Sequence, residues 1–145
     1  MRLAVCPLLA LLAVAAPLPA AQAQQAGGGA ARWRVGDELV GTRWRAQTIK
    51  GVPVADPSQA TIEFLPGDHV RGQAACNRYV GPFATRGDRI TLGPLRVSRL
   101  DCGDRTPLLE ALIIELRRAN RVVLSPGRLE LQPSRGPASV FLASP

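Results

Sequence analysis

The sequence predicts an α+β domain, a small antiparallel β-sheet or partial barrel wrapped around one helix. Three observations predict it. Short segments of alternating apolar and polar residues recur between turn signals, as at residues 59–65 and 129–132. A single segment, residues 106–120, repeats its apolar residues at helical spacing. Two cysteines, Cys76 and Cys102, lie among the strand segments. The 145 residues suffice for one domain.

Residues 1–23 read as a signal peptide. Arg2 is a short positive region, residues 8–14 form an apolar core, and Ala21-Gln22-Ala23 supplies the small residues of a cleavage site. The apolar run is interrupted by Pro7, Pro17 and Pro19 and is shorter than the ~20 residues that span a bilayer. Cys6 precedes that run, where a lipidation cysteine would follow it, and leaves with the peptide. The chain after cleavage is expected to be exported and periplasmic, without a membrane span. Residues 24–37, with Gly27-Gly28-Gly29, read as a flexible linker in which Trp33 is the one residue expected to pack. The domain is expected over residues 38–145.

Residues 39–47 read as a strand with Val40, Thr42, Trp44 and Ala46 on one face and Arg43 and Arg45 on the other. Lys50-Gly51 turns the chain. Residues 59–65 follow as a second strand, with Ala60, Ile62 and Phe64 on its apolar face. Pro66-Gly67-Asp68 then leads into a hairpin partner, Val70-Arg71-Gly72-Gln73. Residues 76–85 carry Tyr79 and Phe83 four apart on one strand face. Arg86-Gly87-Asp88 is a turn, Ile90-Thr91-Leu92 a short strand, and Gly93-Pro94 a break.

In the helix, Leu108, Leu109, Leu112, Ile113, Leu116 and Ala119 share one broad arc, with Thr106 as cap, Pro107 in the first turn and Asp104 as a further capping candidate. Ile114 falls on the polar side. Strands at 121–124, 129–132 and 140–142 close the chain around turns at Ser125-Pro126-Gly127 and Gly136-Pro137.

The formal charge is +7, and every basic residue except Lys50 is arginine. Such a surface favours anionic partners, although the arginines are scattered and form no polybasic run. Export makes nucleic acid an improbable partner, and the aromatics do not interleave with basic residues as a base-stacking surface would.

An even pair of cysteines in an exported chain reads first as a disulfide. Closing a loop of about 27 residues stabilises by roughly 3–4 kcal/mol in the loop-entropy account. The alternative is two free thiols, but there is no CxxC spacing and no histidine near either cysteine. His69 is the only histidine and sits beside a turn, so no Ser–His–Asp set and no metal cluster can be assembled around it. There is no GxSxG and no Walker loop. The expectation is a non-enzyme, with no catalytic residues, no metal and no cofactor. A further alternative is a hydrolase with an unrecognised site, which loss of activity on replacing Asp101, Asp104 or His69 would support.

Ala75-Cys76-Asn77-Arg78-Tyr79-Val80-Gly81-Pro82-Phe83 resembles the pattern GCNxYxGxY. Gly93-Pro94-Leu95, Ser98-Arg99 and Cys102 resemble a second block, GPL followed by TR and C. Gly41-Thr42-Arg43-Trp44 resembles a GTxW opening. In order, these blocks are similar to the META (HslJ-like) domain family over residues 38–143. Ala75 stands where the family has Gly, Phe83 where Tyr is common, and Ser98 where it has Thr. The resemblance implies an antiparallel sheet curling around a helix in an exported, envelope-associated protein. The family is linked to stress response, motility and novobiocin tolerance, without an agreed biochemical activity.

Within the motif, Asn77 is suited to satisfying backbone groups at a bend, Gly72 and Gly81 to close backbone approach or positive φ, and Arg99 to pairing with a carboxylate. Asn77, Arg78 and Arg99 near the disulfide are the candidate binding cluster. The functional expectation is a non-enzymatic envelope protein of the META type, stress-related, that binds or stabilises another envelope component. The alternative is a cationic module for anionic lipid or lipopolysaccharide.

Overall fold

The computed structural model describes residues 35–145. The expected signal peptide, Cys6, Trp33 and residues 24–34 of the expected linker lie outside the described residues. Residues 35–37, the end of that linker, open a short helix, α1 (Val35–Leu39). Thr42 Oγ1 donates to Leu39 O at 2.5 Å where the chain leaves this helix. The first strand therefore begins at Arg43 and not at residue 39.

Ten strands follow in antiparallel pairing: β1 (Arg43–Ile49), β2 (Val52–Pro53), β3 (Thr61–Leu65), β4 (His69–Ala74), β5 (Asn77–Arg86), β6 (Arg89–Leu92), β7 (Arg96–Val97), β8 (Ala119–Ser125), β9 (Arg128–Pro133) and β10 (Ser139–Ala143). The main helix, α2 (Thr106–Arg118), lies between β7 and β8. Neighbours run β10-β9-β8-β6-β5-β4-β3-β1, and β1 pairs back onto β10 through Trp44↔Ala143 and Ala46↔Phe141. These eight strands form a closed barrel; β2 and β7 pair outside the ring. The expected sheet or partial barrel is thus a complete one. Closure satisfies the two edges that an open sheet would leave unpaired.

Alternation decides what enters the barrel. Trp44 and Ala46 of β1, Ile62 and Phe64 of β3, Tyr79 and Phe83 of β5, Leu129 and Leu131 of β9 and Phe141 of β10 are all buried. Phe64 and Phe83 meet edge to face with ring centroids 5.1 Å apart. Helix α2 approaches β1, β4, β6 and β9, every second strand around the ring. Its buried face, Leu112, Ile113 and Leu116, joins the barrel core, while Glu110, Arg117 and Arg118 on the other side are exposed. An eight-stranded barrel is just wide enough to be filled by side chains, and here the apolar face of the helix contributes some of them. Ile114 points away and is 49% exposed.

The start of α2 differs from the expectation. A 3₁₀ turn, Gly103–Arg105, runs directly into the helix, so Thr106 is its first residue. Arg105 occupies the cap position without a side-chain cap, and neither Thr106 nor Asp104 serves as one. The helix ends at Arg118, where Ala119 turns into β8.

Candidate functional site

Cys76 and Cys102 are joined, with Cα atoms 5.5 Å apart. The bond ties the start of β5 to the loop ahead of α2. Asn77, next to Cys76, is fully buried and holds that loop from inside. Its Oδ1 accepts from Leu100 N and from Ser98 Oγ, both at 2.8 Å, and its Nδ2 donates to Leu100 O at 3.0 Å. Ser98 continues the link outward, since its Oγ accepts from Arg78 N at 3.0 Å.

The structure therefore divides the candidate cluster of Asn77, Arg78 and Arg99. Asn77 is a structural clamp whose polar atoms are used within the fold. Arg99 is exposed on the clamped loop and makes no ion pair among the described residues. Arg78 points outward from β5 into a groove that includes neither of the other two.

That groove, of about 480 Å³, crosses the outer surface of β1, β3, β4 and β5. Strand register builds it. Arg43↔Glu63 and Glu63↔Arg71 form one row across β1, β3 and β4. Two residues along, Arg45↔Thr61 and Gln73↔Arg78 form the next row. Residues two apart on a strand share a face, so both rows face out. Glu63 is the only carboxylate side chain in the groove. Its Oε2 accepts from Arg71 Nε at 2.7 Å, its Oε1 accepts from Arg71 Nη2 at 3.2 Å, and Arg43 Nε forms an ion pair with Oε1 at 3.1 Å. The Arg71 hydrogen bond, followed by that of Arg43, holds the Glu63 carboxyl below its ordinary value. Arg45 and Arg78 make no ion pair among the described residues.

Between the two rows the strands part. β3 and β4 pair at Glu63↔Arg71 and again at the isolated bridge Ala60↔Ala74, but not at Thr61 or Ile62. Side chains fill the interruption. Gln73 N donates to Thr61 Oγ1 at 3.0 Å, and Tyr79 Oη donates to Thr61 O at 2.6 Å. Gly72 makes this route available, because a Cβ there would overlap Thr61 O and lie 2.5 Å from Tyr79 Oη. Gly81 plays the matching part further along β5, where a Cβ would lie 2.6 Å from Pro94 O. Neither glycine has positive φ; close approach is the requirement at both.

The scattered arginines gave no sequence signal for this groove. Their only trace was the alternation that places Arg43 with Arg45, and Arg71 with Gln73, on outer faces. His69 is exposed beside its turn. Among the described residues there is no group of three or more His, Cys, Asp or Glu side chains placed to hold a metal, and no helix is long and apolar enough to cross a membrane.

Fold and groove define a class: a closed antiparallel barrel with one main helix packed on its core and a cationic groove on its wall. The META domain model matches residues 37–145, and the chain belongs to that family, commonly called HslJ-like. No curated protein matches the chain. Among solved structures, it is similar to a protein from Burkholderia xenovorans determined by NMR (23% identity, 76% of this chain and 86% of that one, TM-score 0.61). It is also similar to a second protein determined by NMR (21% identity, 74% and 92%, TM-score 0.60). A crystal structure of a DUF4847 family protein from Bacteroides vulgatus shares the fold at 12% identity (75% and 96%, TM-score 0.52).

Proposed function

We infer that this META protein is a non-enzymatic, exported envelope protein that binds another envelope component and has a stress-protective role. The observation that carries the binding role is the groove, a polar, charged recess held on a closed and disulfide-tied barrel. Export is supported by the signal-peptide pattern of residues 1–23 and by a disulfide, which persists in oxidising compartments. The stress role rests on what META membership implies.

A specific observation favours the second reading, a cationic module for anionic lipid or lipopolysaccharide. Four arginines line the groove against one glutamate, and such a charge excess attracts anionic groups.

Affinity capture of the oxidised protein from envelope extract, read by protein and lipid mass spectrometry, tests both. A protein partner retained at high salt supports the first reading. Anionic lipid lost at high salt supports the second, because exposed charges are screened above ~0.1 M ionic strength. Capture of neither, or fractionation that finds the protein in the cytoplasm with reduced cysteines, contradicts both.

A further inference from the structure

We propose that the groove is a binding site for a phosphate-bearing group, with Arg45 and Arg78 as its free donors and Glu63 as the positioning residue that holds Arg43 and Arg71 beside them. The proposal rests on the reading of an anionic partner and names the group recognised.

Glu63 engages Arg43 through Nε and Arg71 through Nε and Nη2. A guanidinium has five N–H donors, so each of these arginines keeps donors that Glu63 does not use. The two-point contact fixes the Arg71 plane and the Nε contact tethers Arg43, which reduces side-chain freedom that a ligand would otherwise have to order. Arg45 and Arg78 stand at the ends of the neighbouring row, with the polar side chains of Thr61 and Gln73 between them. Three strand spacings separate β1 from β5 along the ring, roughly 14 Å at ~4.8 Å each, and the two long side chains border the groove from opposite sides. Ser58 also lines the rim, but its hydroxyl donates to Asp56 Oδ1 at 2.6 Å and is not among the donors.

Guanidinium forks match the oxygens of phosphate and carboxylate alike. The charge count separates them. Four guanidinium groups face the Glu63 carboxylate, and even with the α-carboxylate of Pro145, which also lines the groove, counted against them an excess of two positive charges remains. A phosphate monoester, which carries close to two negative charges at pH 7, offsets more of that excess than a single carboxylate does.

The test is a titration of the purified, oxidised, ¹⁵N-labelled protein with phenyl phosphate at low ionic strength, following the arginine Nε–H resonances. Saturable shifts of Arg43, Arg45, Arg71 and Arg78 are expected, with weaker binding of benzoate. R45Q and R78Q should each weaken phenyl phosphate binding about three- to tenfold, the range for exposed charge pairs of up to ~1 kcal/mol and somewhat beyond. R121Q removes the same charge from β8, across the barrel from the groove, and should change binding less than about twofold.

E63Q separates positioning from simple attraction. It makes the groove more positive, so attraction alone tightens binding, whereas loss of positioning weakens it. Weakening is expected. Tighter binding by E63Q, equal losses in R121Q and R78Q, or no saturable shift overturns the proposal.

Flotation with vesicles containing phosphatidic acid distinguishes the sources of the phosphate. Binding that R78Q weakens assigns the group to a lipid headgroup; phenyl phosphate binding without flotation assigns it to a soluble phosphate ester. If neither probe binds while low-salt capture from envelope extract persists, this site is excluded and the broader binding role stands.

Discussion

Tyr79 Oη donates a 2.6 Å hydrogen bond to Thr61 O, reaching from β5 past Gly72 of β4 to β3. The bond replaces a missing rung of the β3–β4 ladder and forms part of the floor of the arginine groove. Three residues of the sequence thereby depend on one another: a tyrosine to reach, a glycine to leave room, and a carbonyl freed by parted strands.

Tyr79→Phe is expected to cost about 1–3 kcal/mol by leaving the Thr61 carbonyl unpaired. Gly72→Ala is expected to cost about as much by overpacking. The two should be far from additive in a double-mutant cycle, because the added methyl already displaces the hydroxyl. Urea denaturation of the four proteins checks this, and additive costs contradict the arrangement. Burial also raises the Tyr79 phenol above its ordinary value of 10.0. Tyr79 is the only tyrosine, so phenolate absorbance should appear only as alkali unfolds the protein. A folded value above the unfolded one means that this contribution is complete below pH ~10 and is lost as pH rises beyond it.

Ala75 lies at φ +55 and is fully buried. A left-handed alanine costs roughly 1–2 kcal/mol. Its methyl contributes about 0.8 kcal/mol by burial. Ala75→Gly should therefore be close to neutral or mildly stabilising. Ala74→Gly removes an equally buried methyl from β4 without relieving a positive φ. It should cost about 1–2 kcal/mol through burial and backbone entropy. Thermal or urea denaturation of the pair gives the answer, and equal losses would refute the backbone argument.

Reduction of the disulfide, or paired replacement of Cys76 and Cys102 by Ala, should remove about 3–4 kcal/mol. Asn77→Ala should cost about 1–3 kcal/mol because it removes three hydrogen bonds and leaves the part-buried backbone groups of Leu100 without their partner. The amides of residues 98–102 should lose hydrogen-exchange protection before those of the barrel core. Simultaneous loss everywhere would mean that the clamp is not a local unit.

Glu63 is held below its ordinary value of 4.5, chiefly by Arg71 and then by Arg43. A depressed folded value means that its contribution is complete above pH ~4.5 and is lost as pH falls through the lower value. The stability difference between wild type and E63Q should therefore be constant near neutrality and shrink below about pH 4. In R71Q, the Glu63 carboxyl followed by NMR should move back up toward its ordinary value. An unchanged titration would remove Arg71 as the cause.

Much of the barrel was legible because alternation is a local signal. Ile62 and Phe64, Tyr79 and Phe83, and Leu129 and Leu131 announced their strands, and the leucines of α2 announced a helix that needs surroundings. Closure through Trp44↔Ala143 was not legible, since pairing between the first and last strands of the ring leaves no local pattern. Helix α1 was read through because Leu39 and Val40 continue the apolar run into β1. The disulfide followed from cysteine number and the expected compartment. The candidate cluster was only partly legible: adjacent strand residues point to opposite faces, and Asn77 enters the fold where Arg78 leaves it. The groove needed the register itself, because Arg43, Arg45, Arg71 and Arg78 come from three strands.

Capture from envelope extract with wild type, the R45Q/R78Q double variant and R121Q in parallel tests whether the groove is the binding surface. Wild type and R121Q should retain the same anionic component at low salt, and R45Q/R78Q should lose it while remaining folded. Equal retention by all three would contradict the assignment of binding to the groove.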